Sequence, residues 1–367
     1  MKVNIQSIKQ KLITGLNKAY ESIQPLASAG NEYINDGLDI LLSKIIPKEH
    51  VLKARFGNPR KLLSSRNSGF VLDGKKAISI KQSRSNVLAV APSGVGKSQV
   101  VVFPSLINIA KSKQSLLVND PHGELVSVVP YLKSQGYFVQ VLDFNSEDSE
   151  IFYNPLIRCT DKTSTNKVAN LLVKQGLGNG KSTSSSSSGN YFTSKATELV
   201  GLMINYLREQ GVEEYYHLAG VFDLLEQFQG NKEGVSNLFE SASPPLFKKY
   251  LSFCGTAEDT LSSVVSTAQA ALSFIGNDDK LSYITSKDTI DFNELRRGDR
   301  PVALFVKVPI GDAQYYQKIV GLLFEQFFAF LFKSLPEEGI DKDVFVVLDE
   351  MAAIAPALSD FSNVISS

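Results

Sequence analysis

The chain has 367 residues with 38 basic and 38 acidic side chains, so its formal net charge is zero. That balance excludes a histone-like electrostatic coat for nucleic acid and leaves room only for a local basic channel. Hydrophobic content of 43% and charged content of 21% exclude a disordered chain, and the length suits about two domains.

Residues 1–50 come first. Ile8, Leu12, Leu16 and Ile23 fall near helical spacing, and Leu38, Ile40, Leu41, Leu42 and Ile45 form a second apolar cluster. These read as amphipathic helices, packed either on the main domain or against a membrane partner or another subunit. No stretch reaches the ~20 apolar residues of a membrane span. Lys2, Lys9 and Lys11 recur without the apolar core of a secretory signal.

Asn86-Val87-Leu88-Ala89-Val90 predicts a short strand, and a helix-length apolar segment starts at Gln99. Between them lies Ala91-Pro92-Ser93-Gly94-Val95-Gly96-Lys97-Ser98. Strand, glycine-containing turn, Gly-Lys-Ser and helix make the setting of a phosphate-binding loop. Gly94 and Gly96 let backbone N–H groups curl toward phosphate oxygens, and the helix start adds its positive dipole end. Lys97 is placed for the terminal phosphates and Ser98 for Mg²⁺. Ala91 stands where the pattern has glycine; alanine is tolerated there unless positive φ is required.

Ser115–Asn119 predicts the next strand, ending in the turn Asp120-Pro121-His122-Gly123-Glu124. A helix to about Ser134 and a strand over Tyr137–Leu142, ending at Asp143, come next. Continuous apolar strands separated by helices indicate a parallel sheet covered on both faces, with ligands beyond the carboxyl ends of its strands. Asp120 and Asp143 lie at such ends.

From Lys167 to Ile275 the periodicity is helical. Phe192, Ala196, Leu199, Val200, Met203 and Leu207 define one helix face, and Leu218, Val221, Phe222 and Leu225 another. Thr256 with Asp259 resembles a capping box, with Leu261, Val264, Val265, Ala268 and Leu272 facing inward. The stretch from Gly176 to Gly189, with five serines at Ser184–Ser188, reads as linker. Its Gly180-Lys181-Ser182 is a decoy, since no apolar strand leads into it. Cys159 and Cys254 have neither metal nor disulfide spacing and read as buried thiols of a reducing compartment. His50, His122 and His217 are too scattered for a metal site.

Sheet pattern returns at Val302–Val308, ended by Pro309. An amphipathic helix over about Ala313–Phe332 comes after it, its phenylalanines read as core. Val344–Leu348 then predicts a buried strand ending in Asp349-Glu350. A carboxylate there holds Mg²⁺ in phosphate-loop ATPases, and the adjacent Glu350 is placed to prepare the attacking water. The fold class expected is α/β, a mainly parallel sheet with helices on both faces and an inserted all-α domain. The expected divisions are 1–50 helical, 51–158 nucleotide-binding with the phosphate loop, 159–285 inserted and all-α, and 286–367 nucleotide-binding with the acids.

Several of these segments together resemble the type IV secretion coupling proteins, the TraG-like conjugative DNA-transfer ATPases. The resemblance spans about 51–367. It is carried by Ala54-Arg55-Phe56, Lys61-Leu62-Leu63 and Gly69-Phe70-Val71-Leu72; by Ala91–Ser98 and Val102-Phe103-Pro104-Ser105-Leu106; and by Asp120-Pro121-His122-Gly123-Glu124, where the family usually has lysine at 122. Tyr153-Asn154-Pro155-Leu156 and Leu348-Asp349-Glu350-Met351 complete it.

The resemblance implies a RecA-like core, ATP with Mg²⁺ as cofactors, and homo-hexamers with ATP between subunits. Carried onto this chain, the nucleotide would meet Ala91, Pro92, Ser93, Gly94, Val95, Gly96, Lys97, Ser98, Gln99 and Asp120. Ser98 and Asp349 would hold the metal, and Lys97 and Glu350 would carry catalysis. The implied work is ATP hydrolysis that drives relaxase-bound single-stranded DNA toward a type IV secretion channel. The implied location is the cytoplasm, peripheral at the inner membrane. Family members usually begin with membrane helices, and no such segment is read in this sequence. They also continue past the acids with a further core strand, a polar sensor residue and an arginine supplied to the neighbour, so a chain longer than this one is expected. An FtsK- or HerA-like double-strand translocase is the nearest rival; Pro155 and the long helical insertion favour the coupling proteins. A nucleotide-gated docking adaptor is the rival from another class.

Overall fold

The computed structural model describes residues 58–92, 94–177, 187–308, 311–333, 337, 340–351 and 358. Every described helix and strand lies within residues 59–367. The helices expected in 1–50, Ser93 and the Gly180-Lys181-Ser182 decoy lie outside the described residues.

Two short helices, α1 (Pro59–Leu62) and α2 (Ile80–Ser83), precede the loop at 91–98. After it the helix opens with a π-turn, Ser98–Val102, and continues as α3 (Phe103–Lys111). Phe103 donates to the Ser98 carbonyl, five residues back. Pro104, next in line, has no N–H to give, which favours the wider turn at this point.

Four strands form one parallel sheet: β1 (Ser115–Asp120), β2 (Phe138–Asp143), β3 (Val302–Lys307) and β4 (Val344–Leu348), in the order β2-β3-β1-β4. All four match predicted strands. A 3₁₀ turn (Leu125–Val128) and α4 (Val129–Ser134) join β1 to β2, so the predicted helix at 124–134 starts as 3₁₀. Between β2 and β3 every described element is helical: α5 (Lys162–Gly176), α6 (Ser187–Gln210), α7 (Leu218–Gly230), α8 (Lys232–Phe239), α9 (Pro244–Cys254), α10 (Glu258–Gly276), α11 (Asp279–Ile284) and α12 (Phe292–Arg297), with a 3₁₀ turn at Pro155–Arg158. Helix α13 (Ala313–Phe332) joins β3 to β4.

The pleat divides the core in two. Leu116, Val118, Ala303, Phe305, Phe345 and Val347 face one side, against Leu106 and Ile109 of α3 and Leu132 of α4. Leu117, Leu142, Leu304 and Val306 face the other, where they merge with the buried faces of α5–α13. Phe324 and Phe327 of α13 are fully buried, as core phenylalanines should be. Cys159 is buried, and burial pushes its thiol up to about 12; Cys254 is half-buried.

Two buried clusters tie the layers together. Asn154 accepts from Leu156 N–H at 3.0 Å and donates to the Tyr216 carbonyl at 2.7 Å. Beside it Arg158 pairs with Asp288 at 3.0 Å and stacks over the Phe292 ring at 4.2 Å. Before β4, Asp341 bridges Arg296 at 2.9 Å and Arg297 at 2.7 Å. The segment after α1 clasps this edge as well. Val71 N–H donates to Ser105 of α3, Phe70 packs edge-on against Phe345 of β4, and Arg84 pairs with Asp343.

Three local expectations give way. Asn86–Val90 is not a strand: Leu88 and Val90 are 76% and 83% exposed, and Asn86 has φ +63°. A strand exists only through a ladder with a neighbour, and among the described residues none pairs with this run or with the outer edge of β4. Thr256 does not cap α10; its hydroxyl donates to the Phe253 carbonyl at the end of α9, and Ala257 takes the cap position. The linker expected from Gly176 to Gly189 is shorter among the described residues, since Gly176 ends α5 and Ser187–Gly189 start α6.

Candidate nucleotide site at the strand ends

The carboxyl ends of β1 and β4 bring three acids together from distant parts of the sequence. Asp120 ends β1 and is fully buried. One of its oxygens accepts from the Val126 N–H at 3.0 Å, which fixes the turn after β1. The other, Oδ1, is buried with no hydrogen-bond partner. Desolvation is the main reason its pKa is raised, and the charge of Asp349 adds to it. An orphaned buried carboxylate oxygen is costly to leave unmatched and marks a position for a cation or donor.

Asp349 and Glu350 come directly after β4. The Asn119 side chain donates to the Asp349 carbonyl at 3.1 Å, locking the end of β4 to the end of β1. Asp349 is also raised, chiefly by desolvation; Glu350 and Glu124 push the same way, and His122 opposes them. Glu350 sits at φ +50°, a left-handed backbone that a non-glycine residue adopts only when its surroundings hold it there. Its Oε1 lies 3.9 Å from Nε2 of His122. The turn carrying His122 is shaped by Gly123, at φ +70°, where an added Cβ would lie 2.8 Å from Cε of Lys307. That lysine pairs with Asp143 of β2 at 2.8 Å.

The glycine loop has the backbone expected of it, with Gly94 at φ +78° and Gly96 at φ +87°. No atom lies within 4 Å of a Cβ built at Gly94, so positive φ, not crowding, requires glycine there. Ala91 and Pro92 turn their carbonyls toward Lys97, whose Nζ donates to them at 3.1 and 3.4 Å. Ser98 opens the π-turn, and Val95 and Gln99 are exposed. Among the described residues no hydrogen bond or ion pair joins this loop to Asp349 or Glu350. The structure brings Asp120, Asp349 and Glu350 together and sets Lys97 and Ser98 at the start of the helix that packs on the same sheet. Sequence reasoning missed Asn119 and Lys307. Both lie near the ends of strand runs that read as apolar, and only the pairing of β1 with β3 and β4 reveals them.

Among the described residues no group of three or more His, Cys, Asp or Glu could hold a metal by itself. Mg²⁺ needs none, because it keeps waters and takes one or two carboxylates plus the substrate's phosphates. The desolvated Asp349 and the unmatched Oδ1 of Asp120 fit such an ion.

A family model described as type IV secretory system conjugative DNA transfer matches residues 37–362. Solved structures of a bacterial conjugative coupling protein, TrwB, align over most of the chain. The unbound form has a TM-score of 0.56 at 13% identity, covering 85% of this chain and 67% of that one. The form described with ADP and Mg²⁺ has a TM-score of 0.54 at 13% identity, covering 84% and 69%. The form described with a non-hydrolysable ATP analogue has a TM-score of 0.55 at 12% identity, covering 84% and 69%. The chain thus spans about two thirds of those solved chains. At such identities the likeness carries the fold, a RecA-like parallel α/β core with many added helices. No curated protein sequence matches the chain. No described helix is long and apolar enough to cross a membrane.

Proposed function

The chain belongs to the type IV secretory system conjugative DNA transfer family, and from that premise we propose that it is an ATP-driven coupling protein, passing relaxase-bound single-stranded DNA to a secretion channel. One observation carries this reading. The buried Asp120 and the desolvated Asp349 converge with Glu350 at the carboxyl ends of adjacent parallel strands, on a sheet flanked by the helix that begins at a glycine–lysine–serine loop. In α/β sheets ligands bind at such strand ends.

In this reading residues 51–158 and 286–367 form the nucleotide-binding part, and 159–285 form the inserted helical part. The loop amides of 91–98 and Lys97 bind the phosphates and stabilise the charge that develops on the transferred phosphoryl group. Gln99 borders the nucleotide. Ser98 and Asp349 would hold Mg²⁺, which would neutralise charge on the phosphate oxygens. Glu350, held in its left-handed backbone beside His122, accepts a proton from the attacking water. Asp120 fixes the turn at 121–126 and presents its free oxygen to the nucleotide side. Lys97 must release the Ala91 and Pro92 carbonyls to reach a phosphate, a side-chain rearrangement of the loop alone. The working assembly is a homo-hexamer at the cytoplasmic face of the inner membrane, attached through a membrane-protein partner.

The test is ATP turnover by the intact, full-length protein with and without DNA. A single-strand motor hydrolyses faster when single-stranded DNA is added. Stimulation by duplex alone would identify the double-strand translocase. Indifference to any DNA would reject the motor and leave the nucleotide-gated adaptor.

A further inference from the structure

Away from the strand ends, α5, α6 and α9 enclose a cavity of about 310 Å³. That volume matches the lower range of small-molecule sites. Polar and apolar surface line it about equally, and the charges on it do not cancel. Both acids are already engaged: Glu198 accepts from Lys195 at 2.8 Å, and Glu209 accepts from the Ser243 backbone N–H and hydroxyl, each at 2.8 Å. The cations have no carboxylate partner among the described residues. Arg208 makes three hydrogen bonds, all to uncharged acceptors: the Cys159 carbonyl at 3.2 Å, the Thr165 hydroxyl at 3.3 Å and Oδ1 of Asn205 at 2.7 Å. Lys162 and Lys249 also line the cavity, and among the described residues neither pairs with a carboxylate.

Arg208 is half-buried and held in place by α5, so its positive charge is aimed rather than free to swing into solvent. An unneutralised guanidinium flanked by two lysines in a concave wall focuses positive potential. We infer that this cavity is a binding site for a small ligand bearing one oxyanion, a carboxylate or a phosphate ester, held by Lys162, Arg208 and Lys249. A single anionic head is favoured over a nucleic-acid backbone, because Glu198 and Glu209 on the same wall repel a continuous string of phosphates. Beyond those bonds each carboxylate keeps lone pairs that can accept from hydroxyl or N–H groups next to the ligand's anion. The assignment is independent of the nucleotide reading, since no residue is shared with the loop at 91–98.

Calorimetric titration of the full chain tests it, with glutarate and inorganic phosphate as probes and chloride as the control at fixed ionic strength. Phosphate titrations use a Lys97→Ala background, so that the glycine loop does not contribute. Binding of either probe is expected, weakened as salt rises. K162Q and K249Q should each weaken it about five- to tenfold, the scale of one nearby charge at a protein surface, and the double variant should remove it. Both lysines are exposed, so these variants are expected to fold; a thermal melt checks this. Tighter glutarate assigns a carboxylate ligand, and tighter phosphate assigns a phosphate ester. Absence of binding by both probes, or equal binding by the folded double variant, overturns the inference.

Discussion

Asn154→Ala is the substitution whose cost can be worked from the structure most directly. Asn154 is 1% exposed. Its Oδ1 caps the turn at Pro155–Arg158 by accepting from Leu156, and its Nδ2 donates to the Tyr216 carbonyl, sixty-two residues along the chain. Alanine orphans both partners. Leu156 is fully buried, so its N–H finds no water. A buried polar group left without a partner costs about 1–3 kcal/mol, and a lost cap about 1 kcal/mol within the same sum. Tyr216 is half-buried, which puts its carbonyl at the low end. The expected total is about 2–4 kcal/mol, a large share of the 5–15 kcal/mol typical of a folded domain. Urea unfolding measures it, tracked by tyrosine fluorescence, since the chain has 13 tyrosines and no tryptophan. The neighbouring Ile157 is 49% exposed, and Ile157→Ala should cost less than about 0.5 kcal/mol. A loss below about 1 kcal/mol for Asn154→Ala, at unchanged m-value, would refute the claim that this asparagine joins the turn to the helices.

Mg-ATP at about 100 times its dissociation constant should add roughly 2.7 kcal/mol to the parent chain; Lys97→Ala should lose that thermal shift, and a shift equal to the parent's would remove the loop from the site. Glu350→Gln should keep the shift and lose turnover, so undiminished hydrolysis would take the proton-accepting role from Glu350. For Asp341, the hydrogen bond from Arg297, helped by the Glu337 N–H, holds the carboxyl below its usual range. A depressed folded pKa stabilises above the unfolded value and fades as pH falls through the folded one. Asp341→Asn should therefore destabilise at pH 7, and the gap to the parent should narrow below about pH 4; a gap that stays constant down to pH 2 would show that the carboxylate charge contributes nothing.

Strand β1 and its neighbours were readable because parallel strands buried on both faces are written as short continuous apolar runs. Helices α10 and α13 were readable because their buried residues recur at helical spacing. Asn86–Val90 reads the same way and forms no strand, because a ladder depends on a neighbour that local sequence does not specify. Thr256 shows the same limit for caps: a hydroxyl near a helix start can serve the helix before it. The acids at 349–350 were legible as the end of a strand. Their meeting with Asp120 was not, since 229 residues separate Asp120 from Asp349 and only the pairing of β1 with β4 joins them. Neither the Asp341 bridge to Arg296 and Arg297 nor the cations around the α5–α6–α9 cavity left any periodic trace.

The apolar side chains beneath β3 run without interruption into those of α5 through α13. A hinge placed between sheet and helices would have to open that shared interior to water, at a cost growing with every square ångström exposed. The helical mass and the strands are thus welded into one block. In the motor reading proposed above, force made at the strand ends would not be absorbed by flexing between sheet and helices; it would pass, like load through a gear tooth, to whatever surface the next protein presses against.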